Sequence, residues 1–280
     1  MESPPTRLRP RLSRTFSRSR WSEYEGFLAS ARDRGYELVP LERWVRGDLG
    51  SDGSEAERVM IMRHDVDQHP RSALTMAAIE SDLGVRSTWY FRWRTAHPAV
   101  VDALRERGFE IGLHYETLTR RALEGKGEPP ADERALAEGR AELRGEIAAF
   151  ERIFGPIRSV VPHGDSRVPG VRNADLLRGE DCSAYGIEFD GNEAMRGRGI
   201  AYWLTDRTTA EGGWKDGTDP QELLDACASP ILCLTHPNNW ASGAALWLDR
   251  ALRGMLPRAS DRATPTAGRP IHTGSDRPPR

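Results

Sequence analysis

The sequence predicts an α/β protein in which about seven parallel strands form an open sheet or a barrel. Short apolar runs recur along the chain, and helix-like stretches lie between several of them. Strands that alternate with helices imply parallel pairing through helical crossovers. The runs are nearly all apolar, as expected for strands that are covered on both faces.

Each predicted strand is short. The seven strands cover residues 59–62, 87–91, 110–114, 159–162, 185–189, 201–204 and 231–235. The helices are predicted from helical spacing of apolar residues, from prolines in a first turn and from glycines that follow a last turn. They cover residues 21–35, 70–83, 98–107, 131–154, 220–228 and 241–255.

Composition places one domain at residues 21–255, between a disordered basic arm at 1–20 and a disordered tail at 256–280. Both ends are rich in arginine and proline and poor in apolar residues. Segments of this composition cannot form a packed core. No apolar run could span a bilayer, and none follows the arm as a secretion signal would require. We therefore expect a cytoplasmic protein.

The charge balance gives no reason to expect nucleic acid as a partner. Lys and Arg total 40 against 42 for Asp and Glu, a formal net charge of −2. The three cysteines are scattered and form no CxxC pair, which argues against disulfides and against a cysteine zinc site. No pattern predicts the oligomeric state.

Polar side chains gather where the predicted strands end. Five of the seven strands are followed by such residues: His64, Asp65, Asp67, His114, Glu116, His163, Asp165, Arg167, Asp206, His236, Asn238 and Asn239. The C-terminal ends of parallel strands share one face of the fold, so these residues should converge on one mouth. Aspartate and histidine together suit a divalent cation such as zinc.

Single members of this set also have simple structural interpretations. One histidine taken alone is more often a hydrogen-bonded structural residue than a ligand. Asp67 could cap the helix that follows it. Backbone alternation places Asp65 and Asp67 on the same side of an extended chain and His64 on the other. A structural role can explain any one of these residues. It explains less well why acids and histidines gather together at the ends of the predicted strands.

Five stretches resemble the polysaccharide deacetylases of carbohydrate esterase family 4 and their relatives. They are RHDVD, STWYF, RGFEIGLHYE, VVPHG and LTHPNNW, in the family's order, and they cover roughly residues 58–240. The resemblance implies a distorted (β/α) barrel of about seven strands, of the glycoside hydrolase/deacetylase type. It also implies one divalent metal ion, held by an aspartate and two histidines, and removal of an N-acetyl group.

The resemblance implies roles for particular residues. HDVD matches a D-x-D motif, which makes Asp65 the catalytic base and Asp67 a metal ligand. GLHYETL makes His114 a ligand, and LTHPNNW makes His236 the catalytic acid. The family's second ligand histidine is replaced by Leu118 here, and we hypothesise that His163 supplies the third ligand.

The expected activity is hydrolysis of a carbon–nitrogen bond other than a peptide bond, in an N-acyl amino sugar or a related small molecule, with one zinc ion. The candidate substrate-binding residues are Arg63, Tyr115, Asp206, Trp214 and Trp240. Their aromatic rings could stack on a sugar, although aromatic residues near strands are more often core.

Two alternatives remain open. Leu118 in a ligand position favours a metal-independent or non-catalytic relative that acts as a binding module. The same mouth could also hydrolyse a cyclic amide.

Overall fold

A computed structural model describes residues 17–49, 57–126, 132–165, 167–207 and 211–252. Within these ranges, eight strands form one sheet, and all of their pairings are parallel. The strands are β1 (Glu37–Pro40), β2 (Val59–Val66), β3 (Thr88–Phe91), β4 (Glu110–Tyr115), β5 (Ser159–Pro162), β6 (Phe189–Asp190), β7 (Tyr202–Thr205) and β8 (Ile231–Thr235).

Nine helices surround this sheet in the described part of the chain. They are α1 (Trp21–Asp33), α2 (Leu41–Arg46), α3 (Arg71–Asp82), α4 (Pro98–Glu106), α5 (Thr117–Leu123), α6 (Glu133–Phe154), α7 (Gly191–Gly197), α8 (Pro220–Asp225) and α9 (Gly243–Leu252).

The strand order is β6-β5-β4-β3-β2-β8-β7. Strand β1 pairs with the first half of β2 and β3 with the second half, so β1 and β3 lie end to end along one edge of β2. Among the described residues β6 and β7 do not pair, and the barrel therefore stays open at that point. The predicted distorted (β/α) barrel of parallel strands is confirmed.

The two faces of β2 show how the sheet positions its polar residues. Met60, Met62 and Val66 pack outward in the large core beneath the helices. Val59 and Ile61 pack in a smaller inner cluster with residues of five other strands and two helices. Residues 63 and 65 continue that inner row toward the C-terminal mouth, as the two-residue period of a strand requires.

Most predicted elements are present with ends shifted by a few residues, and one strand is wrong. Residues 185–189 were expected to be extended, but Cys182–Tyr185 is a 3₁₀ turn and only Phe189–Asp190 pairs in the sheet. The sequence also missed α2, α5 and α7, each of six or seven residues. Helices this short depend on tertiary contacts more than on their own propensity.

The predicted arm at 1–20 and tail at 256–280 lie largely outside the described residues. The last part of the arm is described and packs on the domain: Arg20 N donates to Trp240 O at 2.7 Å, and Gly243 N donates to Ser17 O at 3.0 Å. Within the described ranges, no helix has the length and apolar character needed to cross a membrane.

Candidate metal centre at the barrel mouth

Three predicted ligands meet at the C-terminal mouth of the barrel. Asp67 follows β2, His114 lies near the end of β4, and His163 follows β5. Asp67 Oδ1 lies 3.4 Å from His114 Nε2 and 3.5 Å from His163 Nε2. The potential ligand atoms of these residues all lie within 4.8 Å of one another.

The cluster fits a divalent cation. Asp67 Oδ1 is buried and accepts no hydrogen bond from any described residue, so a lone pair is left for a ligand. Burial would raise the pKa of Asp67, but the neighbouring His163 and His114 imidazoles hold it well below its usual range. A carboxylate and two imidazoles are a donor set typical of zinc.

His114 is oriented by the neighbouring strand. Its Nδ1 donates to the carbonyl oxygen of Val161 at 3.1 Å, which fixes the neutral tautomer and leaves the Nε2 lone pair directed at Asp67. Such a bond to the second ring nitrogen is the usual support of a ligand histidine. Burial lowers the pKa of His114, although Asp65 and Asp67 oppose this effect. The ring is therefore favoured in its neutral form.

His163 is held through its backbone. Its N–H donates to Tyr115 O at 2.8 Å, and its carbonyl accepts from Asn173 Nδ2 at 2.7 Å. The Asn173 side-chain oxygen accepts from the backbone N–H groups of Leu118 and Thr119. The buried Asn173 amide thus joins the loop that carries His163 to the start of α5, and no motif in the sequence predicted this role.

Leu118 cannot take part in the cluster. Its side chain is 4% exposed and belongs to the large apolar core, against α6. In the described part of the chain, the two groups that could hold a metal are Asp67–His114–His163 and Glu116–His163–Asp165. The acids of the second group are already paired with Arg92 and Arg167.

Asp65 lies beside the cluster in a rigid pair with Arg63. Arg63 Nε and Nη2 donate to the two oxygens of Asp65 at 2.9 and 2.8 Å, and both residues are buried. Asp65 Oδ2 also lies 3.4 Å from His114 Nε2. Burial would raise the pKa of Asp65, but Arg63 and His114 lower it. The carboxylate is therefore ionised at neutral pH.

His236 stands on the other side of the cluster. Its Nδ1 donates to Asp206 Oδ1 at 2.8 Å, and its Nε2 lies 3.8 Å from Asp67 Oδ2. Burial would lower the pKa of His236, but the hydrogen bond and charge of Asp206 raise it to about 9. The imidazole is therefore protonated at neutral pH, with its Nε2–H toward the cluster.

Four of the predicted substrate-binding residues are buried in the structure. Tyr115 and Trp240 expose none of their surface, Trp214 exposes 7% and Arg63 exposes 3%. Trp240 packs between Trp214 and Tyr24, and these rings belong to the large core. Asp206 lines the cleft although it is only 1% exposed, and it accepts from His236 and Trp240.

A cleft of about 440 Å³ opens beside the cluster and reaches Asp67. A volume of this order is typical of small-molecule sites. The cleft is lined by Asp67, Gln68, Asp206, Arg207, Glu211, Lys215, His236, Asn238 and Asn239. Asp67 and His236 thus connect the cluster to the cleft, whereas Asp65, His114 and His163 lie behind its lining.

No family model matches the chain, and no curated protein matches it. Solved structures of family 4 carbohydrate esterases are similar to it at low identity. A family 4 pseudoenzyme from Bacillus anthracis has a TM-score of 0.40 and 12% identity, over 72% of this chain and 60% of that one. This chain thus spans about three fifths of that structure's length.

Two further structures are of enzymes. A family 4 carbohydrate esterase from Streptomyces lividans has a TM-score of 0.35 and 15% identity, over 70% of this chain and 87% of that one. A mutant of the peptidoglycan deacetylase PdaC from Bacillus subtilis has a TM-score of 0.37 and 16% identity, over 71% and 84%.

Proposed function

We propose that this chain is a metal-dependent hydrolase that cleaves the amide bond of an N-acyl amino sugar or a related small molecule. The proposal rests on one observation: a proton acceptor and a proton donor both lie beside the same ligand cluster. Asp65 is held by Arg63 next to His114, and His236 is held by Asp206 next to Asp67.

Asp67, His114 and His163 would hold one zinc ion. When bound, a zinc ion lowers the pKa of a coordinated water and polarises an acyl oxygen. Asp65 is ionised and fixed by two hydrogen bonds, so its carboxylate can accept the proton of the attacking water. The Arg63 guanidinium orients this base from behind and does not reach the cleft.

His236 is the proton donor of the proposed reaction. The amide carbon gains the water oxygen, the carbon–nitrogen bond breaks, and the departing nitrogen takes the proton from His236 Nε2. Asp206 holds the ring through Nδ1 and stabilises the imidazolium before this transfer. The products are a carboxylate and a free amine.

The test combines metal analysis with acetate release. Purified protein should contain about one zinc ion per chain by elemental analysis, and it should release acetate from N-acetylglucosamine or its oligomers. Asp65→Asn should keep the metal and lose turnover by about 10²–10⁴-fold. Protein that neither takes up zinc nor releases acetate would refute the proposal. Ring opening of a cyclic amide without acetate release would support the alternative chemistry.

A further inference from the structure

One wall of the cleft is a short ribbon whose position is fixed by buried residues. Asp206 and Trp214 form an antiparallel bridge, and Arg207 N donates to Gly213 O at 3.0 Å. Both anchors are buried, at 1% and 7% exposure. The residue after each anchor is exposed and lines the cleft: Arg207 on one arm and Lys215 on the other.

These two cations differ from three other arginines of the mouth, whereas a fourth, Arg94, donates to the backbone oxygen of Asp67 at 3.2 Å. Arg63, Arg92 and Arg167 each form an ion pair with a carboxylate. Within the described ranges, neither Arg207 nor Lys215 has an ion pair. Glu211, which lines the same cleft, takes part in an interaction of its own.

Two of the three acids that line the cleft, Asp206 and Asp67, face other partners. Asp206 is committed to His236 and Trp240, and Asp67 faces His114 and His163. Two exposed cations on one wall of the cleft are suited to an anion that carries more than one oxygen acceptor, such as a phosphate or a carboxylate. Gln68 and Asn238 offer amide groups elsewhere in the cleft.

We propose that Arg207 and Lys215 form an anion-binding subsite, so that the substrate of this cleft carries a phosphate or carboxylate in addition to its N-acyl group. This inference rests on the proposed function and specifies its substrate class. Such a subsite would favour anionic amides over neutral ones. An anionic substrate contacts both cations, whereas a neutral sugar leaves them solvated. The cleft volume of about 440 Å³ accommodates a charged monosaccharide.

The experiment compares three N-acetylated substrates with zinc-loaded protein. N-acetylglucosamine is neutral, its 6-phosphate carries a phosphate, and N-acetylmuramic acid carries a carboxylate. One or both anionic substrates should have a kcat/KM at least about tenfold above that of the neutral sugar. The variant with both Arg207→Gln and Lys215→Gln should reduce this ratio to near one. Arg152→Gln, an exposed change on α6, should leave the ratio unchanged.

A binding measurement separates this inference from the proposed function. Calorimetric titration of Asp65→Asn protein with the same three sugars requires no turnover. Tighter binding of an anionic sugar, lost in the variant that also carries the Arg207 and Lys215 changes, would support the subsite even if no acetate is released by the wild type. Equal binding of all three sugars, unaffected by those changes, would overturn it whether or not the chain is a deacetylase.

Discussion

His236 and Asp206 form the most strongly supported side-chain pair at the mouth, with Nδ1 and Oδ1 2.8 Å apart. Asp206 also accepts from the backbone N–H of His236 at 2.8 Å and from Trp240 Nε1 at 2.9 Å. Three donors thus fix one buried carboxylate, and that carboxylate fixes the imidazole. The pair explains how a histidine after β8 can be both oriented and charged.

We predict that Asp206→Asn lowers turnover by about 10²–10⁴-fold, because the neutral amide no longer stabilises the imidazolium. Zinc content should stay at the wild-type level, since Asp206 does not belong to the ligand cluster. Acetate release and elemental analysis on the same preparation check both parts. Asp33→Asn, an exposed change at the end of α1, serves as the control. Wild-type turnover in Asp206→Asn would contradict the assignment of His236 as the catalytic acid.

The third ligand gives a second prediction. His163→Ala should weaken zinc binding by more than about 100-fold. Loss of a residue that only supports a ligand typically weakens metal binding by about 10–100-fold, so a ligand should cost more. Restoring a histidine at 118 should not repair this loss, because that side chain lies in the apolar core against α6. Zinc titration of His163→Ala and of the double variant with Leu118→His measures the effect. Recovery of tight binding in the double variant would contradict the burial of residue 118.

Leu118→His should also destabilise the fold by about 1–3 kcal/mol, since a buried imidazole without partners replaces an apolar side chain. Leu118→Met, which keeps the site apolar, should cost less than about 1.5 kcal/mol. Urea unfolding of the two variants compares these costs. Equal stability of both would mean that residue 118 reaches solvent.

The Asn173 amide gives another prediction, because it holds the His163 backbone and contributes no ligand atom to the cluster. Asn173→Ala removes the bond to His163 O and leaves the N–H groups of Leu118 and Thr119 without their acceptor. We expect a loss of stability of about 1–3 kcal/mol and a loss of zinc affinity of about 10–100-fold. Asn173→Asp retains the acceptor and should preserve more stability than Asn173→Ala. Unchanged zinc affinity in Asn173→Ala would show that the loop is held by other contacts.

A fourth prediction concerns pH and Glu110. Burial, together with the nearby Glu42 carboxylate, raises the pKa of Glu110 from 4.5 to about 7. The folded chain then binds this proton more tightly than the unfolded chain, so the group favours folding at low pH. Its contribution is lost as the pH rises from 4.5 to about 7, and the change amounts to at most about 3 kcal/mol.

The free energy of unfolding should therefore fall less between pH 5 and pH 8 in Glu110→Gln than in the wild type. At pH 8 the variant should be more stable than the wild type. Urea unfolding of the two proteins at both pH values, under the same zinc concentration, measures the difference. Parallel pH profiles would show that Glu110 titrates normally. Exposed Glu25→Gln on α1 provides a matched control.

The chain itself determined the parallel α/β order and the polar strand exits. The two-residue period of an extended segment places Asp65 apart from His64, and the structure confirms this: His64 bonds Glu80 outside the sheet, whereas Asp65 faces His114. Both inferences depend only on near neighbours in sequence and on the common direction of parallel strands.

Tertiary structure alone decided which polar and aromatic side chains face solvent. Trp240 and Tyr115 are amphipathic, and their sequence context is the same for a cleft wall as for a core. Their burial follows from partners that are remote in sequence: Tyr24 for Trp240 and Asp190 for Tyr115. The role of Asn173 was fixed in the same way, by its hydrogen bonds to His163, Leu118 and Thr119.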